Sequence, residues 1–178
     1  READKARDVV VMAEVAQEAE YVRHHPKKIA LVFAAMRKFA RQLEDDGWSL
    51  RYTRLDDPEN AGSLVGELLR RAEETGAGEI IATEPGEWRL LNTLTDAPIP
   101  TRLLSDDRFI ASRKRFEDWA EGRKALRMEY FYREMRRETG LLMEGDDPAG
   151  GKWNFDHDNR KPPKEGLDIP QPLSFAPD

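Results

Sequence analysis

Residues 8–15 have the sequence DVVVMAEV, a short and nearly continuous apolar run. The consecutive valines favour a β-strand, because side chains branched at Cβ pack well on a pleated sheet. A run of this length without polar alternation is typical of a strand that is buried on both faces, as strands of parallel sheets are. The segment therefore predicts a buried parallel strand.

Helical and strand periodicities alternate downstream of this strand. From Pro26 to about Gly47, apolar residues recur every three or four positions, as in an amphipathic helix. Residues 48–55 alternate large and polar side chains, which indicates a second strand. The next predicted elements are a helix over Ser63–Glu74, a strand over Glu79–Thr83, a helix over Glu87–Leu94 and a strand over Thr101–Leu104. This alternation predicts an α/β domain with a parallel sheet and right-handed crossovers.

Beyond Asp107 the strand pattern ends. Two helices are predicted over Arg113–Glu121 and Leu126–Glu138, and one face of the second carries Met128, Phe131, Tyr132, Met135 and Thr139. From Asp146 onward, proline and glycine dominate, which predicts an irregular tail or linker. We therefore divide the chain into an α/β domain over residues 1–107, a helical extension over 108–145 and a linker or tail over 146–178.

Composition excludes several classes of protein. The chain has 178 residues, no cysteine and a formal net charge of -6. Without cysteine it has no disulfide framework, cysteine zinc site, thiol nucleophile or cysteine-held iron–sulfur cluster within these residues. No signal-peptide pattern or membrane-length apolar run is present, so we expect a cytoplasmic location. The chain begins at Arg1 without methionine, and we expect it to be a fragment.

Glu14 and Glu18 are candidate binding residues. They lie at and just beyond the carboxyl end of the first strand, the edge where open α/β sheets bind ligands. Tyr21 follows closely, and Val32 on the next helix can close an apolar wall. A carboxylate, a phenol and aliphatic groups suit a flat heterocycle whose ring N–H groups donate to the carboxylate. The alternative is that both carboxylates are simply exposed in a solvated loop.

The adjacent histidines His24 and His25 are weak candidates for a metal site. Neighbouring residues on a helix or strand do not face one ion, and no histidine pair has the spacing of metal ligands. We expect these side chains to cap the helix that begins at Pro26 or to contact a partner surface.

A basic stretch leaves open a role in nucleic-acid binding. Residues 113–137 contain nine basic and five acidic residues, and Tyr130, Phe131 and Tyr132 lie among the arginines, where they could stack bases. The competing interpretation is a solvated, ion-paired helix face with an aromatic core stripe. Farther along, Trp153 and Phe155 in a polar segment predict docking, either onto the body of this chain or onto a partner domain.

Several stretches resemble the cryptochrome/photolyase-related proteins, specifically the prokaryotic branch that carries an iron–sulfur cluster and includes bacterial (6-4) photolyases. The stretches are residues 8–15, YVRHH at 21–25 with KKIA at 27–30, TEPGEWR at 83–89, MEYFYREMRR at 128–137, TGLLM at 139–143, and GGKWNFD at 150–156 with Asn159-Arg160. They cover nearly the whole chain in order, and the stretch at 128–137 is the most specific. The resemblance implies the amino-terminal part of such a protein, with a Rossmann-like three-layer sandwich.

The resemblance also implies a role. In this family the amino-terminal domain binds the antenna chromophore 6,7-dimethyl-8-ribityllumazine, and Glu18, Tyr21 and Val32 fall at positions near it, with Glu14 a weaker candidate. A carboxyl-terminal helical domain, expected here as the partner, binds FAD, a [4Fe-4S] cluster and damaged DNA. Excitation passes from the lumazine to reduced FAD, which donates an electron to the lesion.

Three departures from the family pattern qualify the resemblance. Family members begin with a strand and a Gly-Asp-Gln-Leu loop that this chain does not contain, and residues 91–100 form a shorter segment than expected. The FAD and cluster domain is absent, so we expect no catalysis by this chain alone. The alternatives are a nucleic-acid-binding module and a structural docking module without a chromophore.

Overall fold

The computed structural model describes residues 3–160, 162 and 166–175. The chain divides into two compact units, Arg1–Phe109 and Ile110–Asp178. Among the prolines of the predicted tail, Pro163 and Pro177 lie outside the described residues, as does Arg1. No helix of the described ranges combines the length and apolar character needed to cross a bilayer.

The first unit alternates strands and helices. Its elements are β1 (Val9–Ala13), α1 (Ala16–Glu20), α2 (Pro26–Asp45), β2 (Ser49–Thr53), α3 (Leu64–Thr75), β3 (Ile80–Thr83), α4 (Trp88–Thr95) and β4 (Thr101–Leu104). Every strand and helix predicted for this part of the chain is present within one or two residues of its expected bounds, and only α1 was not predicted. The α/β class is therefore confirmed.

The strands of this unit form two parallel pairs. β1 pairs with β2, with Val9 opposite Ser49 and Ala13 opposite Thr53. β3 pairs with β4, with Ile80 opposite Thr101 and Thr83 opposite Leu104. Among the described residues, each pair is a separate two-stranded sheet. Each crossover contains a helix, as parallel connections require.

The predicted burial of β1 on both faces is wrong for most of the strand. Val9–Met12 are only half-buried, whereas Ala13 and Val15 are buried. The reason is that β1 has one described neighbouring strand and lies in a sheet of two strands, so its side chains have few groups to pack against.

Local signals place the long helix α2. His25 is its N-cap, with Nδ1 accepting a hydrogen bond from the Lys27 amide at 3.1 Å, and Pro26 occupies the first helical position. The expectation that a histidine caps this helix is confirmed. The helix ends at Asp45, and Gly47 then adopts a φ of +82°, which side-chain-bearing residues rarely adopt.

The second unit contains α5 (Arg113–Ala120), α6 (Met128–Thr139), an antiparallel pair of β5 (Met143–Glu144) and β6 (Asp147–Pro148), a 3₁₀ turn at Ala149–Gly151 and α7 (Asp156–Asn159). Its core is aromatic: Phe131 contacts Phe116 and Trp119 with ring centroids 5.3 and 5.1 Å apart. The hairpin, the turn and α7 were not predicted, because residues 146–160 looked irregular.

The predicted apolar face of α6 is only partly correct. Phe131 is buried as expected, but the exposed fractions of Met128 and Tyr132 are 58% and 42%. Arg136 is buried in place of these two residues, because backbone carbonyls accept hydrogen bonds from its guanidinium.

Candidate functional site

Two loops that follow parallel strands carry the candidate site. β1 ends at Ala13, and the chain then enters the short helix α1, which carries Glu18 and is followed by Tyr21. β3 ends at Thr83, and a turn leads into α4, whose second residue is Arg89. Carboxyl ends of parallel strands are where open α/β sheets hold ligands.

Arg89 brings the two loops together. Its Nη1 and Nη2 donate to the two carboxylate oxygens of Glu18 at 3.1 and 2.6 Å. Its Nε donates to Glu87 at 2.8 Å. The same guanidinium lies over the Tyr21 ring, with Cζ 4.3 Å from the ring centroid, which is within cation–π distance. Glu18, Tyr21 and Arg89 therefore form one cluster, which we call the Arg89 cluster.

The electrostatics of the Arg89 cluster favour a charged guanidinium. The hydrogen bonds from Arg89 to Glu18, and secondarily to Glu87, raise the pKa of Arg89 above its ordinary value. The cluster is nevertheless open to solvent, since the exposed fractions of the Glu18 and Arg89 side chains are 25% and 32%. A ligand can therefore reach the guanidinium and its Glu18 partner.

Exposed apolar side chains occur elsewhere in the same unit. Val32 lies in the second turn of α2 and is exposed, as are Val22 and Trp88, which directly precedes Arg89. Sequence reasoning had selected Val32 but missed Arg89. A usable signal existed, because Arg89 follows the third strand as Glu18 follows the first.

Glu14 lies in a different, buried cluster. Its carboxylate has no exposed surface and accepts hydrogen bonds from Arg37 Nε at 2.5 Å, Arg37 Nη2 at 2.7 Å, the Tyr52 hydroxyl at 2.6 Å and the Leu55 amide at 3.0 Å. The Arg37 hydrogen bonds are the main cause that lowers the pKa of Glu14 to about 2. Burial and the bond to Glu14 raise the pKa of Tyr52 to about 12. Glu14 thus ties the end of β1 to α2 and β2.

A second buried carboxylate, Glu67, is likewise held by several hydrogen-bond donors, here near the end of β2. It accepts hydrogen bonds from the Thr53 hydroxyl at 2.5 Å, the Ala61 amide at 2.7 Å and Arg70 Nη2 at 2.8 Å. These bonds lower its pKa against the opposing effect of burial. Sequence reasoning missed Glu67, since it stands within the apolar stripe of α3.

The other histidine of the adjacent pair, His24, contacts Tyr21. His24 packs its ring edge-on against Tyr21, with centroids 5.8 Å apart, and lies 3.3 Å from Lys28 Nζ. In the part of the chain that the structure describes, no three side chains of histidine, aspartate or glutamate gather as metal ligands do.

Four of the nine basic residues in the stretch 113–137 form ion pairs with carboxylates. The basic residues with carboxylate partners are Lys114 with Asp118, Arg115 with Glu138, Arg123 with Glu134 and Arg133 with Glu129. These four pairs agree with a solvated, ion-paired helix face, because a cation that already has a carboxylate partner contributes less to binding a phosphate backbone. They do not decide between the two interpretations for the other five basic residues.

Trp153 docks onto its own unit. The guanidinium carbons of Arg137, Arg136 and Arg133 lie 4.6, 5.3 and 5.4 Å from its ring centroid. Arg136 Nη1 also donates to the Trp153 carbonyl at 3.2 Å. Of the two docking partners expected for this tryptophan, the structure shows the body of the chain.

Comparison with known proteins identifies the family of this chain. The family model described as deoxyribodipyrimidine photo-lyase-related protein matches residues 1–178. The chain belongs to this family. A curated relative, the (6-4) photolyase of Agrobacterium fabrum, is 50% identical to this photolyase-related chain over 98% of its length. The match covers 35% of the relative, so the chain spans about a third of that protein.

Proposed function

We propose that this chain is the chromophore-holding part of a photolyase-related protein and that it binds 6,7-dimethyl-8-ribityllumazine at the Arg89 cluster. The observation that carries the proposal is the position of the Arg89 guanidinium. A flat group rich in N–H donors already lies on the Glu18 carboxylate and the Tyr21 ring. A flat heterocycle with a ring N–H needs the same two partners, which are a hydrogen-bond acceptor and an aromatic face.

The residues present fit the lumazine ring. The imide N–H of the lumazine donates to Glu18, and its π-face packs on the ring of Tyr21, which is 46% exposed. The ligand competes with the Arg89 guanidinium for both partners. Val32 supplies exposed aliphatic surface on α2. Glu14, whose oxygens already accept four hydrogen bonds, fixes the end of β1, after which the chain continues to Glu18.

The parallel pairs support a Rossmann-like sheet for the complete domain. β1 and β3 each have one described neighbour, so each offers a second edge. In doubly wound sheets the first strand of the domain lies between the second and the fourth, and ligands bind where the strand order reverses. If the family's additional strand is counted as the first, the second and fourth strands are β1 and β3. A strand inserted between β1 and β3 joins the two pairs in that order, beside the Arg89 cluster.

The lumazine, when bound, absorbs light and passes its excitation to FAD, which we place in the remainder of the parent protein together with its [4Fe-4S] cluster. This chain has no cysteine and therefore offers the cluster no thiolate ligand. The residues of this chain hold and orient the chromophore. Damaged DNA is then a partner of the parent protein through its FAD part.

Fluorescence titration with the lumazine tests the proposal. It is carried out on the chain and on the chain extended by the first strand of the family. We expect saturable binding that Glu18→Gln weakens at least tenfold, because the amide loses the charge-assisted acceptor. Glu79→Gln is the matched control, since Glu79 forms an exposed ion pair with Arg102 in the same unit, at 3.2 Å. No binding by either protein, or equal effects of the two substitutions, refutes the proposal.

A further inference from the structure

A cleft of about 420 Å³ lies between α2 and β2 and is not part of the Arg89 cluster. One face of α2 and one face of the β2 segment line it, because the lining residues are three or four apart on the helix and two apart along the strand. The lining residues are Arg37, Ala40, Arg41, Glu44, Leu50, Tyr52 and Arg54.

One cation in the lining of the cleft, Arg41, is available to an anion. Three of the lining side chains are guanidiniums and only one is a carboxylate. Arg37 is held by the buried Glu14, and Arg54 is 3.3 Å from Asp56. Arg41 makes no hydrogen bond or ion pair with any residue that the structure describes. Its planar fork of donors matches the oxygens of a phosphate or a carboxylate.

The rest of the lining is apolar. Leu50 and the buried Ala40 supply aliphatic surface next to the aromatic ring of Tyr52, whose hydroxyl is already bonded to Glu14 at 2.6 Å. The volume lies within the range of about 300–1,000 Å³ typical of small-molecule sites. The cleft thus combines an anion-binding group with a surface suited to a flat ring.

We propose that this cleft binds a small phosphorylated aromatic molecule of nucleotide size, with its phosphate on Arg41 and its ring against Leu50 and Ala40. Glu44 opposes binding, because its carboxylate is a like charge in the same cleft. This site is independent of the proposed lumazine site, and the two can be tested separately.

Binding of AMP to the 178-residue chain tests this assignment, with ¹H–¹⁵N NMR of backbone amides and arginine Nε–H groups as the readout. We expect saturable shifts at α2 and β2 with AMP, and at least tenfold weaker binding of adenosine or inorganic phosphate. Arg41→Ala weakens AMP binding about tenfold through loss of a charge-assisted contact, whereas Glu44→Gln strengthens it about threefold. Arg102→Ala, which removes an exposed cation elsewhere in the unit, leaves binding unchanged.

Four outcomes overturn the assignment. They are the absence of AMP binding at millimolar concentration, shifts outside the cleft, equal affinities for AMP and phosphate, and insensitivity to Arg41→Ala. A fifth is binding of a ten-nucleotide single strand without binding of AMP, which identifies a contact with a phosphodiester backbone. Because Arg41 is exposed, its replacement leaves the fold intact, and unshifted amides of β3 and β4 in the same unit verify this.

Discussion

Replacing Glu14 by glutamine tests the buried cluster that holds β1, α2 and β2 together. The pKa of this carboxyl falls from an ordinary 4.5 to about 2 in the folded chain. A difference of this size corresponds to about 3 kcal/mol of stabilisation at neutral pH, at about 1.4 kcal/mol per unit. Glu14→Gln is therefore expected to lower the free energy of unfolding of the first unit by about 3 kcal/mol at pH 7.

The pH dependence of this effect has a definite sign. The pKa of Glu14 is lower in the folded than in the unfolded chain, so the stabilisation is complete above pH 4.5 and is lost as the pH falls toward 2. About 2 kcal/mol of it is lost by pH 3. The difference between the parent chain and the Glu14→Gln variant must therefore shrink with acid.

Urea titration followed by ¹⁹F NMR of 5-fluorotryptophan measures this effect. The signal of Trp48, which directly precedes β2, reports on the first unit separately from Trp119 and Trp153 in the second. Separate signals are needed because two compact units need not unfold in one transition. Glu79→Gln, at an exposed ion pair, is the control and changes stability by less than about 0.5 kcal/mol. A cost below about 1 kcal/mol for Glu14→Gln, or an equal cost at pH 7 and pH 3, refutes the reasoning.

Three further predictions concern other parts of the chain. Arg89→Gln tightens lumazine binding at least threefold by fluorescence titration, because the ligand no longer competes with a guanidinium for Glu18 and Tyr21; unchanged or weaker binding contradicts this competition. Gly150→Ala lowers the melting temperature of the second unit more than Gly151→Ala does. Both positions have a φ of +73°, but only at Gly150 does an added Cβ meet Phe155, at 3.0 Å; equal effects contradict the predicted clash. Trp153→Ala accelerates proteolysis of residues 141–155, whereas Trp88→Ala, at an exposed position, does not; equal cleavage rates contradict the docking of this segment by Trp153.

The order of elements in the first unit was predictable because each has a local signal. Pro26 and Gly47 bracket α2, and Ser63 and Gly76 cap α3, so these bounds follow from the short-range chemistry of helix ends. Burial was less predictable. The valines of β1 indicate a buried strand, but their exposure depends on which strands lie beside them, and this is a long-range property.

The candidate site was predictable in part. The position of Glu18 and Tyr21 after the first strand follows from the topology of parallel sheets. The separation of Glu14 from them does not, because it depends on Arg37 and Tyr52, which are 23 and 38 residues away along the chain. The contact of Arg89 with Glu18, 71 residues away, is unpredictable for the same reason, although the position of Arg89 after the third strand was a usable signal.

The division of the described strands into two separate parallel pairs affects how the isolated chain behaves in solution. An edge strand exposes unpaired amides and carbonyls, to which a strand from another molecule can add. In the first unit each of the four described strands has one neighbour, so this unit offers four such edges, with half-buried apolar side chains on β1. When the chain is produced by itself, its oligomeric state should therefore depend on its concentration, and a peptide strand that covers these edges should keep it monomeric.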